Sequence, residues 1–240
     1  MSMRKFGVEL PGWTPPARPE IDGLSGRYMR LERLNESHAH GLFRANATDD
    51  AIWDYLPYGP FVSEPAYIRW IKDMAALSDP CFFTVIDLET GRPGGVMALM
   101  RITPEAGSIE LGHICLSPGL QGTRASSDAM MRLIGWAFEA GYRRFEWKCD
   151  ALNLPSRRAA ERLGLSFEGV FRQAAVVKGR NRDTAWFAAI DAEWPGLQAA
   201  YEAWLAPSNF DADGRQIERL SDLTRLVRAH SDPLLAERAG

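Results

Sequence analysis

One stretch, Ser108 to Phe138, restricts the chain more than any other. Residues Ile109 to Leu116 form an apolar run with the character of a buried strand. Ser117-Pro118-Gly119-Leu120-Gln121-Gly122-Thr123 then breaks the pattern as a loop does. Beyond it Met130, Leu133, Ile134, Ala137 and Phe138 recur at helical spacing, so one apolar stripe faces a core, and Gly141 is placed to end the helix. A strand that passes through a glycine-containing loop into a helix start aims unpaired N–H groups and the positive end of the helix dipole at one spot. That arrangement suits a phosphate, although many α/β proteins carry the same crossover with no ligand.

The next segment adds specificity. Arg143 to Asp150 reads as another strand, and it leads into Ala151-Leu152-Asn153-Leu154-Pro155-Ser156, with Glu161-Arg162-Leu163-Gly164 following. Here the chain resembles the GNAT superfamily of acetyl-coenzyme A-dependent N-acetyltransferases. Within that superfamily it resembles the branch of ribosomal-protein N-terminal acetyltransferases (RimJ/RimL-like). Three matches carry the likeness: the Gln121-Gly122 loop opening a helix, Asn153-x-x-Ser156 with Glu161 to Gly164, and Phe167-Glu168-Gly169-Val170 with Gly179, Asp183 and Glu193-Trp194 downstream. The pattern spans roughly Gly26 to Leu205. It departs from the family at Arg124, which stands where the second loop glycine is usual.

Composition excludes several other classes. With 46% hydrophobic and 25% charged residues, 240 residues can bury one sizeable core. A net charge of −3 leaves no electrostatic footprint for nucleic acid or an anionic membrane. Cys81, Cys115 and Cys149 are odd in number, lie in apolar runs and form no CxxC pair, so they read as reduced, buried thiols. No run of 18 apolar residues spans a membrane, and the N-terminus has no apolar signal core, so a cytoplasmic location is expected.

Three regions follow from the punctuation. Residues 1–26, with Pro11, Pro15, Pro16 and Pro19, read as an extended arm with Trp13 as an anchor. Residues 27–205 hold the folded domain, and 206–240 a polar tail with a helix near Gln216 to Ala229. Within the domain, strands are expected at 27–34, 81–88, 95–102, 109–116, 143–150, 166–173 and 183–190. Helices are expected after Asn35 or Ser37, after Ser63, after the Gln121 loop, after Asn153 and from Trp194 to Leu205. This order predicts an α/β fold with a mixed sheet of about seven strands and helices on both faces, the layout the GNAT resemblance also implies. His38 and His40 point to different helix faces, and His113 and His230 are isolated, so no metal site is expected.

The resemblance implies acetyl-CoA as co-substrate and a primary amine as acceptor, either a protein N-terminus or a small molecule. Gln121, Gly122, Thr123, Arg124, Ala125 and Ser126 would bind its pyrophosphate, and the edge of His113, Ile114 and Leu116 its pantetheine arm. By the same resemblance Asn153 would touch that arm and Ser156 would donate to the departing sulfur. Those two residues equally suit the cap of a helix. Glu110, a carboxylate in an apolar run, is either the base that deprotonates the amine or a partner in an ion pair. Trp53, Asp54, Tyr55 and Tyr58, near Asp49 and Asp50, fit an acidic aromatic lip over a cationic acceptor, or a solvated turn with its aromatics packed inward. A non-catalytic acyl-CoA-binding module is the rival reading, and the arm and tail are the candidate segments for a homodimer.

Overall fold

In the computed structural model, which describes residues 6–236, the chain begins with strands β1 (Gly23–Ser25) and β2 (Met29–Arg33) and helices α1 (Ala39–Asn46) and α2 (Glu64–Ala75). Strands β3 (Cys81–Asp87), β4 (Arg92–Thr103) and β5 (Ser108–Leu116) follow, then α3 (Arg124–Glu139), β6 (Arg144–Asp150) and α4 (Leu154–Arg162). The hairpin of β7 (Ser166–Val177) and β8 (Arg180–Ile190) precedes α5 (Trp194–Leu205) and two short helices, α6 (Leu220–Thr224) and α7 (Pro233–Ala236). The strands form one open mixed sheet in the order β1-β2-β3-β4-β5-β6-β8-β7. Among the described residues only the β5–β6 pair is parallel.

Two apolar layers cover this sheet. On one face α3 lies against β2, β3, β5 and β6, with α5 stacked on it and α4 beside β6, β7 and β8. This α3 face buries Leu31, Phe83, Leu99, Ile109, Phe145 and Phe187 with Leu133 and Ile134 of α3. On the other face α1 and α2 cover only β3 to β5, around Leu42, Tyr67, Ile71 and Phe82. That α1 face is left without a helix over β6 and β8, a difference that locates the cleft described below. The helix boundaries follow local chemistry. Thr123 Oγ1 accepts from the N–H of Ser126 at the start of α3 (3.1 Å). Gly141, at φ +92°, ends it with the N–H of Tyr142 donating to the carbonyl of Ala137.

Two sequence expectations change. The sheet has eight strands, because Gly23 to Ser25, assigned to the arm, pairs with β2 as an edge strand. The tail helix shrinks from Gln216–Ala229 to Leu220–Thr224, because side chains and loops compete for its hydrogen bonds. Asn209 accepts from the N–H groups of Ile217 (2.7 Å) and Glu218 (2.8 Å), and Ser166 Oγ accepts from that of Ala229 (2.9 Å). A short helix in a polar segment is marginal alone, so such contacts decide its length. Residues 1–5 of the arm and 237–240 of the tail lie outside the described residues. The rest of the arm crosses the sheet end, where Trp13 lies under the Arg143 guanidinium.

Candidate active site

The parallel pairing of β5 with β6 stops at Glu110 opposite Glu146. Beyond that point the strands part, and a cleft of about 1080 Å³ runs through the gap from one face of the sheet to the other. A bulge in β5 sits at the parting. His113 and Ile114 together oppose Met97, and His113 takes φ +50°. A Cβ at Gly112 beside it would press on the Met100 sulfur, so that flexible side chain would have to move to admit one. His113, Ile114 and Leu116 therefore line the cleft along a strand edge that β6 no longer covers, where the sequence placed them.

At the α3 end, Gln121, Gly122 and Ser126 line the cleft. Gly122 sits at φ +71° with open space around it, and its N–H has no acceptor among the described residues. Arg162 of α4 faces the same end and donates to Ser127 Oγ (2.6 Å). Burial pushes its pKa down, and no carboxylate lies within ion-pair distance of it among the described residues. Arg158, one turn earlier on α4, also lines the cleft. Thr123, Arg124 and Ala125 do not. Thr123 spends its hydroxyl on the helix cap and Ala125 is buried in the core. Arg124 turns away, its guanidinium 4.7 Å from the Tyr28 ring and 4.9 Å from the Phe210 ring. It opens α3 without a positive φ, so the missing family glycine costs no backbone strain.

Ser156 lines the cleft at the start of α4. Its N–H donates to Asn153 Oδ1 (3.1 Å), so the pair caps α4 and lines the cleft at once. The indole Nε1 of Trp147 donates to Ser156 Oγ (3.0 Å). Accepting that bond leaves the serine hydroxyl its own proton as a donor, with the Cys149 thiol and the cleft both beside it. The neighbouring Cys149 thiol is pushed up to about 11 by burial, so it is a protonated bystander at neutral pH.

Glu110 lies on the opposite face and is 2% exposed. It is no free base. Arg101 Nη1 donates to both of its oxygens at 2.7 Å, and Lys148 Nζ lies 2.9 Å away. Lys148 also contacts Glu146 (2.8 Å) and stands 3.9 Å from the centre of the Trp186 ring. His113, on the same face, is pushed down to about 4 by burial and by nearby Arg101, so its ring is neutral at pH 7. Tyr58 stacks on that ring (5.6 Å, 12°), its phenol raised by burial.

The expected acidic lip is largely rearranged. Trp53, 3% exposed, and Tyr58 pack with Phe61, Tyr67 and Trp70 in the α1-face core, because their rings gain more from burial than from a wet rim. Asp54 is exposed and lies outside the cleft. Tyr55 and Asp49 do line it. The Tyr55 hydroxyl donates to the carbonyl of Leu152 (3.3 Å), joining the lip to the loop before α4. Lys178, at the hairpin tip, donates to the carbonyl of Trp53 (2.8 Å).

His38 contacts Glu32 (2.9 Å) and Thr84, whereas His40 pairs with Glu64. No group of three or more His, Cys, Asp or Glu among the described residues is arranged around a metal, and no described helix is long and apolar enough to cross a membrane. Arg101, Trp147, Lys148 and Trp186 are cleft residues that the sequence did not single out, and Arg162 of the Glu161–Gly164 motif and Arg182 of the hairpin tip line it too. The period-2 alternation of β6 carried part of the signal, since Glu146, Lys148 and Asp150 share one face and Phe145, Trp147 and Cys149 the other.

Comparison with known proteins adds a family context. The family model of the acetyltransferase (GNAT) domain matches residues 29–166. A GCN5-related N-acetyltransferase from Brucella melitensis is 44% identical in sequence. Its structure aligns with a TM-score of 0.88, covering 90% of this chain and 100% of that one. An uncharacterized N-acetyltransferase, p20, from Bacillus licheniformis is 28% identical over 153 residues, covering 62% of this chain and 85% of its own. RimL, a ribosomal L7/L12 α-N-protein acetyltransferase solved in complex with coenzyme A, shares the fold. It is 21% identical with a TM-score of 0.57, covering 68% of this chain and 94% of that one.

Proposed function

The chain belongs to the GNAT acetyltransferase family, and from that premise we propose that residues 27–205 transfer the acetyl group of acetyl-CoA to a primary amine by direct attack. The observation that carries this reading is Arg162, a largely buried guanidinium at the phosphate end of the cleft with Ser127 and the Trp204 ring as partners and no carboxylate among the described residues. A cation in that position calls for an anionic ligand.

The donor set fits acetyl-CoA. The Gly122 N–H, Arg162 and Arg158 would hold phosphate oxygens, and the free edge of His113, Ile114 and Leu116 would pair with an extended amide-bearing arm. When bound, acetyl-CoA supplies an acyl group already activated as a thioester. The gap between β5 and β6 would let the amine approach from the α1 face, with Gly122, Arg158 and Arg162 holding the cofactor from the α3 face. Ser156, oriented by Trp147, donates its hydroxyl proton as a hydrogen bond toward the sulfur as the C–N bond forms and the C–S bond breaks. Arg101 and Lys148 on the acceptor face disfavour an ammonium, so the amine enters neutral and, as the C–N bond forms, gives up one of its two protons to water. Glu110 anchors those two cations. An acceptor that is a protein N-terminus, as in RimL, and one that is a small amine both fit this scheme.

Calorimetry with CoA and a thiol-release assay over an amine panel test the proposal. Arg162→Gln and Gly122→Glu should each weaken CoA binding by about tenfold or more, through a lost charge-assisted contact and an added anion. Unweakened binding in both variants would remove the phosphate placement. CoA binding without thiol release for any amine would mark an acyl-CoA-binding module instead.

A further inference from the structure

The acceptor face of the cleft holds a cation that the protein leaves without a counter-charge. Alternation along β8 sends Ala185, Phe187 and Ala189 into the α3-face core and turns Arg182, Thr184 and Trp186 to the α1 face, where all three line the cleft. Arg101 and Lys148 on that face share Glu110. Arg182 has no carboxylate within ion-pair distance and no hydrogen-bond acceptor among the described residues, and its Nε is shut off from water. The indole Nε1 of Trp186, four residues along the same strand, is a second enclosed donor with no acceptor.

None of the nearby acids reaches Arg182, and each holds a local backbone or amide contact of its own. Asp183 accepts from the N–H of Gln173 (2.7 Å) and from Asn181 (3.0 Å). Asp150, across the ladder from Thr184, accepts from the N–H of Leu152 (2.9 Å), and Asp49 accepts from that of Ala51 (2.9 Å). The phosphate end cannot supply the missing anion either, because Gly122 and Arg162 belong to elements on the opposite face. A guanidinium drawn partly out of water is stable when an anion meets it, and its planar fork matches a carboxylate.

We propose that the acceptor bears a carboxylate as well as its amine, with Arg182 as the carboxylate receptor and Trp186 Nε1 as an additional donor. The inference rests on the acetyl-transfer reading only for the position of the amine. Phe171, 57% exposed and 4.6 Å from the Trp186 ring, supplies an apolar wall beside the receptor. Free amino acids and acidic peptide N-termini present the same chemistry.

The test compares acids with their isosteric amides. The acceptors are glycine, β-alanine and 6-aminohexanoate against the corresponding amides, and peptides beginning Ser-Asp against Ser-Asn. Each is assayed by thiol release with the parent protein, Arg182→Gln and Arg182→Lys. The parent should favour acid over amide by about tenfold in kcat/KM, the worth of one charge-assisted contact. Arg182→Gln should bring the ratio near unity without changing the KM for acetyl-CoA, and Arg182→Lys should keep part of the preference. Preference among the amino acids alone identifies a free amino acid, and preference among the peptides alone an acidic N-terminus. No preference in the parent, or a preference that survives Arg182→Gln, overturns the proposal. If no amine releases thiol, acetyl transfer itself fails. The carboxylate site is then read by thermal shift in saturating CoA, where 6-aminohexanoate should stabilise the parent more than its amide does, and Arg182→Gln equally little with either.

Discussion

Arg157 and Asp232, 75 residues apart, meet as two forks, each carboxylate oxygen accepting from a separate guanidinium nitrogen at 2.6 Å. Neither side chain is more than 5% exposed. The third nitrogen of Arg157 donates to the carbonyl of Ala151 (2.8 Å), in the loop that leads to Asn153 and Ser156. The tail thus holds the helix start that lines the cleft. Asp232→Ala leaves a buried guanidinium unpaired and should cost about 3–5 kcal/mol. For a domain of this size that lowers Tm by roughly 10 °C, as thermal denaturation would show. Asp232→Asn should fall between the two, and an unchanged Tm in both variants would mean the pair adds nothing.

Ser156 and Trp147 should act as a unit. Ser156→Ala is expected to lower kcat by about tenfold with little change in the KM for acetyl-CoA, since the hydroxyl donates chiefly to the departing thiolate. Trp147→Phe frees the serine to rotate and should produce a similar, smaller loss. The double variant should lose little more than Ser156→Ala alone. Independent, multiplicative losses in steady-state kinetics would separate the two residues.

Glu110→Gln distinguishes an anchor from a base. As an anchor for Arg101 and Lys148, Glu110 should cost a few kcal/mol of stability when neutralised, on the order of 3. The pH profile of kcat/KM should then keep its shape. A loss of turnover near neutrality that recovers at high pH would restore Glu110 to the role of base.

His113 gives stability a pH dependence. The folded chain binds its proton only near pH 4, whereas an unfolded histidine takes one near 6.5. The unfolded state therefore binds more protons in between, so stability is full above about pH 6.5 and drains as pH falls toward 4. The contribution is on the order of 3 kcal/mol. Denaturant titrations from pH 7 to 4 should show that slope in the parent and lose part of it in His113→Gln. Equal slopes would assign the acid sensitivity elsewhere.

Much of this architecture was legible because periodicity reports directly on burial. The strand at Ile109, the loop at Gln121, the cap at Asn153 and the helix from Trp194 to Leu205 all follow from spacing and punctuation. What spacing cannot report is the partner of a polar side chain. Arg124 looked like a phosphate ligand by its position, yet two rings supplied by Tyr28 and Phe210, distant in sequence, draw it away. Glu110 was ambiguous for the same reason until Arg101 and Lys148 were seen on either side of it. The aromatics near Trp53 suited a rim as well as a core, and only the apolar layer formed by α1 and α2 decides between them. The tail was hardest to read, since Ser166 and Arg157 shape it from outside its own sequence, and Asn209 within it replaces helical partners.

The tail also fixes an order of events during synthesis. A ribosome makes the amino end first, so every strand of the sheet and both cleft-lining helices emerge before residue 232. Until then Arg157 has no counter-ion and the loop before Ser156 is held from one side, while Arg124 gains its second ring earlier, at Phe210. A nascent chain that has reached only Leu205 would carry the whole sheet without the clasp that keeps the cleft in shape. The clasp would therefore close last, supplied by a segment that among the described residues contributes no strand to the sheet and lines none of the cleft.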